Sequence, residues 1–170
     1  KTPYVDLKLQ WRKERPKLLP IIEKILSKGS YVIGEEVDKF EKNIARYCNT
    51  KYAVAFNSGT DALTFGLMLL GVRKGDEVIT PPNSFISSTS SIIHIGATPV
   101  FADVLDDQNI DPKEIEKKIT KKTKAIMPVH LTGRICRMNE IKKTSNKYKI
   151  PIIEDAAQSI GSKYYNKKSG

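Results

Sequence analysis

From residue 52 onward the chain alternates short strand-like runs with helix-patterned segments, and this alternation restricts the fold more than any single motif. Strand-like runs fall at 52–56, 77–80, 98–101, 124–129 and 150–155; helical patterns fall between them at 60–70, 85–95, 111–119 and 138–148. Strands joined through helices cannot pair as hairpins. They form parallel βαβ units in a sheet covered on both faces. The expected class is α/β, a mainly parallel sheet flanked by helices. Upstream, a helix is expected from Pro16 to Gly29 and another from about Glu35 through Tyr47. Residues 1–15 read as mixed, with an extended piece from Tyr4 to Leu7, and 31–34 as a loop or short extended link. Near the end, 162–165 reads as extended and 166–170 as a turn. No repeat, linker or low-complexity segment is visible.

The stretch from Tyr52 to Gly71 packs a strand, a glycine turn and a helix start into a few residues. Ser58 with Asp61 three positions on reads as a capping box, so the helix begins at Gly59 or Thr60, and Gly71 stops it. The first helical N–H groups lack partners and the helix dipole favours an anion there. Ser58, Gly59 and Thr60 are therefore candidate phosphate-binding residues. The plain alternative is an ordinary βα turn with a good cap.

The 170 residues suffice for one domain with a core, and 39% are hydrophobic. No run reaches membrane-spanning length and no secretory signal is visible, although the chain opens on Lys1 rather than Met. Cys48 and Cys136 are too few for a disulfide framework and suit a reducing cytoplasm. The formal charge of +10 comes largely from lysine pairs such as Lys117-Lys118 and Lys142-Lys143. These pairs lack interleaved aromatics and no nucleic-acid motif accompanies them, so they read as solvated faces. Widely spaced histidines and cysteines make no metal site. Phosphate-loop, dinucleotide and nucleophile-elbow motifs are missing as well.

In an open α/β sheet, ligands bind beyond the carboxyl ends of the strands. Those ends supply 57–60, 82–85, 130–133 and 155–158, which should cluster. Asp155 follows an apolar run and precedes two alanines, which leave room for a flat ligand whose ring nitrogen it would keep protonated; capping the next helix is its other reading. Phe85 either stacks on a ring or joins the core. His130 lies near the cluster, where a lone histidine more often packs than reacts.

Taken in order, Asn-Ser-Gly-Thr-Asp-Ala-Leu at 57–63, Gly-Asp-Glu-Val-Ile-Thr-Pro-Pro at 75–82, Gly-Ala-Thr-Pro-Val-Phe-Ala-Asp-Val at 96–104, Met-Pro-Val-His-Leu-Thr-Gly at 127–133 and Ile-Glu-Asp-Ala-Ala-Gln-Ser-Ile-Gly at 153–161 form a specific set. With Gly34, Val37, Phe40 and Glu41 upstream, the chain resembles the DegT/DnrJ/EryC1/StrS family of nucleotide-sugar aminotransferases. The resemblance covers nearly the whole chain. It implies the large pyridoxal-phosphate-binding domain of the aspartate-aminotransferase fold (type I). An N-terminal helical segment would occupy 1–33 and the cofactor domain 34–170.

On this resemblance, pyridoxal 5'-phosphate is the cofactor. Gly59 and Thr60, with Ser58, would hold its phosphate; Phe85 would stack on the ring, Asp155 would pair with the ring nitrogen, and Gln158 would lie near the phenolic oxygen. Tyr31, in the loop from Gly29 to Gly34, and His130 become candidate substrate contacts. A homodimer with shared active sites is implied too, working on a nucleotide sugar and an amino donor, glutamate, without nucleic acid or membrane. Asp61 after Ser-Gly-Thr resembles members acting on 3-keto sugars. Thr132 stands where the family usually has tyrosine, which bears on substrate or local packing. The family's Schiff-base lysine lies downstream of a turn like 166–170. The domain is therefore expected to be incomplete and this chain alone inactive. The alternatives are a sugar dehydratase of the same family, or a non-catalytic binding or regulatory protein that keeps the fold.

Overall fold

The computed structural model describes residues 3–29, 31–32 and 34–170. They form two compact units that divide between Ile44 and Ala45. In the first unit, α1 runs Leu7–Ser27. It therefore starts well before Pro16, and the extended piece expected at Tyr4 to Leu7 is replaced by a helix start. Asp6 makes the difference: its carboxylate accepts the Leu9 N–H at 2.9 Å and its carbonyl takes the Gln10 N–H, a cap that propensity counting from the proline overlooks. Pro16 and Pro20 lie inside α1, each removing one helical donor, and none of its residues is buried. The expected link at 31–34 includes Ile33, which lies outside the described residues. The helix α2, Glu35–Cys48, follows and crosses into the second unit.

In that unit α3 (Gly59–Leu69), β1 (Glu77–Thr80), α4 (Ile86–His94), β2 (Thr98–Phe101), α5 (Pro112–Lys118), β3 (Thr123–Ile126) and α6 (Met138–Tyr148) alternate as expected. The sheet order is β2-β1-β3, every pair parallel. Parallel bridges Ile126–Ile152 and Val129–Asp155 lay the 150–155 segment along β3, although it forms no full strand. The strand expected at 52–56 is not in the ladder. Its alternation is present, but Tyr52 and Val54 are 72% and 69% exposed, and Phe56 instead stacks on Phe65 at 5.4 Å.

The core explains the two-sided pattern. Consecutive strand residues point to opposite faces. Val78, Ala125 and Met127 pack with Leu63, Leu67 and Ile92 beneath α3 and α4, whereas Ile79 and Ile126 pack with Ile115, Met138 and Ile141 beneath α5 and α6. Gly66 lets α3 approach the sheet closely, since a Cβ there would lie 2.6 Å from Ile153 Cδ1. The chain ends in a hairpin rather than a simple turn: β4 (Lys163–Tyr164) and β5 (Lys167–Lys168) pair antiparallel. Tyr165 and Asn166 both take left-handed backbone between them, as a two-residue hairpin turn requires. Most of the lysine pairs are exposed; Lys117 bonds Glu114 and Lys147 bonds Glu116, the pattern of a solvated face. Among the described residues no helix is long and apolar enough to cross a membrane.

Candidate functional site

At the carboxyl ends of these strands lies a pocket of about 340 Å³ whose lining includes Gly59, Thr60, Phe85, Asp155 and Gln158. The reason is topological. The 57–60 turn starts α3, the 81–85 turn leaves β1, and 155–158 leaves the segment beside β3. Adjacent parallel strands bring their outgoing turns to one edge.

One end of the pocket is built by the start of α3. Ser58 is its N-cap, its hydroxyl accepting the Asp61 N–H at 3.1 Å and its carbonyl the Ala62 N–H. This leaves the Gly59 and Thr60 N–H groups as outward donors of the helix terminus. A Cβ at Gly59 would meet nothing within 4 Å, so the backbone there is openly approachable. Ser58 itself does not line the pocket. The Thr60 hydroxyl donates to Ser87 Oγ at 2.8 Å.

Asp155 lines the same pocket from the segment beside β3. Its backbone is pinned on both sides: its N–H donates to the Pro128 carbonyl at 2.9 Å and its carbonyl accepts the His130 N–H at 3.1 Å. The residue is only 8% exposed, yet its side chain reaches the pocket. Ser88 Oγ donates to Oδ2 at 2.7 Å and the Ala157 N–H donates to Oδ1 at 3.3 Å. No helix begins at Ala156, so Asp155 caps none; its carboxylate instead accepts a backbone N–H two residues on, within a turn, while it lines the cavity.

Phe85 is 70% exposed and precedes α4 as its N-cap residue, so it is not core. Asn83 and Ser84, cap-type residues just before α4, do other work: Asn83 donates to the Gln108 carbonyl and Ser84 pairs with Ser88 at 2.7 Å. Gln158 accepts the Thr132 N–H on Oε1 at 2.7 Å, which leaves its amide nitrogen as the free end. Thr132 earns its place through backbone: it takes the left-handed conformation, at φ 54°, in the 3-10 turn Leu131–Gly133.

His130 is not brought into the pocket. It is 0% exposed, and its ring is fully engaged: Nδ1 accepts the Cys136 N–H at 3.3 Å, so Nε2 carries the proton toward Glu154 Oε2 at 2.9 Å. That bond holds the Glu154 carboxyl below its usual range, against the opposing effect of burial. Tyr31 belongs to the first unit, where its hydroxyl donates to the Leu26 carbonyl at 3.1 Å. Burial pushes the Cys136 thiol up to about 12, so it is inert. Among the described residues no cluster could hold a metal ion.

What reading the sequence missed is the hydroxyl face of α4. Ser84, Ser87, Ser88 and Ser91 recur at helical spacing toward the protein interior, where apolar residues are the rule. That spacing was the available signal. The donors present suit a flat, phosphorylated, nitrogen-containing ring: outward N–H groups at the start of α3, an exposed aromatic beside the cleft and a buried carboxylate.

Comparison with known proteins gives a consistent result. The DegT/DnrJ/EryC1/StrS aminotransferase family pattern matches residues 13–170. The chain is 41% identical over 169 residues to the dTDP-3-amino-3,6-dideoxy-alpha-D-galactopyranose transaminase of Aneurinibacillus thermoaerophilus, covering 99% of this chain and 47% of that protein. It is 40% identical over 168 residues to the UDP-2-acetamido-2-deoxy-3-oxo-D-glucuronate aminotransferase of Pseudomonas aeruginosa, covering 98% of this chain and 46% of that protein. Among solved structures, NtdA from Bacillus subtilis with bound cofactor PMP superposes with a TM-score of 0.93 at 36% identity, over 99% of this chain and 39% of that one. The chain thus spans about half the length of the curated relatives it matches.

Proposed function

The chain belongs to the DegT/DnrJ/EryC1/StrS aminotransferase family, and from that premise we propose that its protein transfers an amino group to a nucleotide-linked keto sugar with pyridoxal phosphate as cofactor. The observation that carries the reading is the convergence of the α3 N-terminus, exposed Phe85 and buried Asp155 on one pocket. The cofactor of NtdA, and the position-3 oxo or amino sugars named in both curated relatives, support the cofactor and a 3-keto substrate. Glutamate as donor, a homodimer and a cytoplasmic location complete the proposal on the family resemblance.

Pyridoxal phosphate, when bound, supplies a protonated ring that takes up the electron pair left when a proton is removed beside the amino nitrogen. The residues here serve that ring. Gly59 and Thr60 N–H groups would hold its phosphate at the positive end of the α3 dipole. Phe85 would cover a ring face and exclude water. The Asp155 carboxylate would accept the ring N–H and keep that proton in place, and the Gln158 amide would donate to the phenolic oxygen. The backbone bonds on either side of Asp155 keep the acid stationary.

The test is an assay of the intact protein with dTDP- and UDP-linked 3-keto sugars, glutamate and pyridoxal phosphate, read by mass spectrometry. An amino sugar is expected. A deoxygenated sugar would move the protein to the dehydratase branch, and no product from any keto sugar would refute both.

A further inference from the structure

We infer that Ser88 is a positioning residue that aims the Asp155 carboxylate into the pocket, and that the first turn of α4 thereby couples the acid to the start of α3. The inference rests on the cofactor reading above and extends it to a residue outside the pocket lining. Asp155 Oδ2 receives a 2.7 Å bond from Ser88 Oγ, while Oδ1 has only the 3.3 Å contact from the Ala157 N–H. The shorter bond therefore dominates the orientation of the carboxylate, as short bonds to charged acceptors do.

The hydroxyl chain has a direction. A serine has one proton to give. Ser88 spends it on Asp155, so in the 2.7 Å pair with Ser84 the proton comes from Ser84. The order is Ser84 to Ser88 to Asp155, and it ends on the carboxylate. Ser88 is fully buried and Ser84 lines the pocket, so the chain joins the cavity wall to the back of the acid. Successive hydroxyls polarise one another in such an arrangement.

The neighbouring residue is tied to the start of α3. Ser87 accepts the Thr60 hydroxyl at 2.8 Å, at the start of α3. Two consecutive residues of α4 thus grip the anion turn and the acid, with Phe85 one turn before them. One helical turn thus joins the start of α3 to the acid, and would hold the two in register for a ligand between them.

The experiment compares the intact protein with its Ser88→Ala, Ser88→Thr and Asp155→Asn variants. Readouts are the dissociation constant for pyridoxamine phosphate, the pH dependence of the bound pyridoxal phosphate spectrum, and the ¹³C resonance of the Asp155 side-chain carboxyl without ligand. Ser88→Ala is expected to weaken binding about tenfold, the scale of one hydrogen bond to a charged group, to shift the spectral midpoint and to move the resonance. Ser88→Thr, which keeps the hydroxyl, is expected to restore all of these to within about twofold of the original binding. If Ser88→Ala leaves the resonance and spectrum unchanged, or if alanine and threonine are equally impaired, the inference is overturned. If Asp155→Asn binds as well as the original protein, the cofactor reading fails instead, and the resonance alone decides whether Ser88 holds Asp155.

Discussion

A buried carboxylate is costly unless its oxygens are occupied, and Asp155 has both engaged while still facing a cavity. Replacing it with alanine is expected to cut retention of pyridoxal phosphate by at least about tenfold, the scale of one charge-assisted bond, with equilibrium dialysis as the check. The Glu154–His130 pair is the contrasting case, a charged bond used for structure. Its hydrogen bond depresses the Glu154 carboxyl. A depressed carboxyl adds stability that is fully present above its ordinary 4.5 and is lost as pH falls through the lowered value. Thermal melts should therefore show Glu154→Gln less stable by about 1 to 2 kcal/mol at neutral pH, the gap closing in acid. A gap that stayed constant down to strong acid would mean the carboxylate charge contributes nothing. The thiols give a third check: an aromatic disulfide reagent should label Cys48 and leave buried Cys136 unmodified until the fold is opened. At this scale the convergence of Gly59, Thr60, Phe85 and Asp155 on one pocket was legible, because strand ends and helix starts have a grammar. For His130 the packing reading was available, but its partners Glu154 and Cys136 were not. Ser88 was not legible, because one serine looks like another until its partner is known.

At the scale of elements, the side-chain caps of α3 and α5 agree with the sequence pattern, whereas the Asp6 cap of α1 was overlooked. Ser58 bonds the start of α3 as read, and Asp111 caps α5 in the same manner. Removing the α3 cap by Ser58→Ala should cost about 1 kcal/mol, measurable in urea melts. A cost near zero would show that the α3 terminus is set by the sheet alone. In contrast, α4 has no side-chain cap bond, because Ser84 and Asn83 are committed elsewhere. Tertiary partners took the residues that local rules assign to the cap. The same competition explains 52–56, whose alternation is real but which joins no ladder here, and 166–170, where left-handed Tyr165 and Asn166 allow a hairpin that their residue types only weakly signal.

For the molecule as a whole, the parallel sheet was the most legible feature, since helices between strands leave little topological choice. Each face of that sheet carries its own core, so Ile126→Ala should leave a cavity toward α5 and α6 and cost about 2 to 5 kcal/mol. The pocket exists because this sheet brings the turns after β1 and beside β3 to one edge, where α4 ties them to the start of α3. A crystal structure of the intact protein with pyridoxal phosphate tests that convergence most directly. The phosphate is predicted to lie within hydrogen-bonding distance of the Gly59 and Thr60 N–H groups, and the ring nitrogen against the Asp155 carboxylate. A cofactor bound elsewhere, or with its ring nitrogen turned away from Asp155, would contradict it.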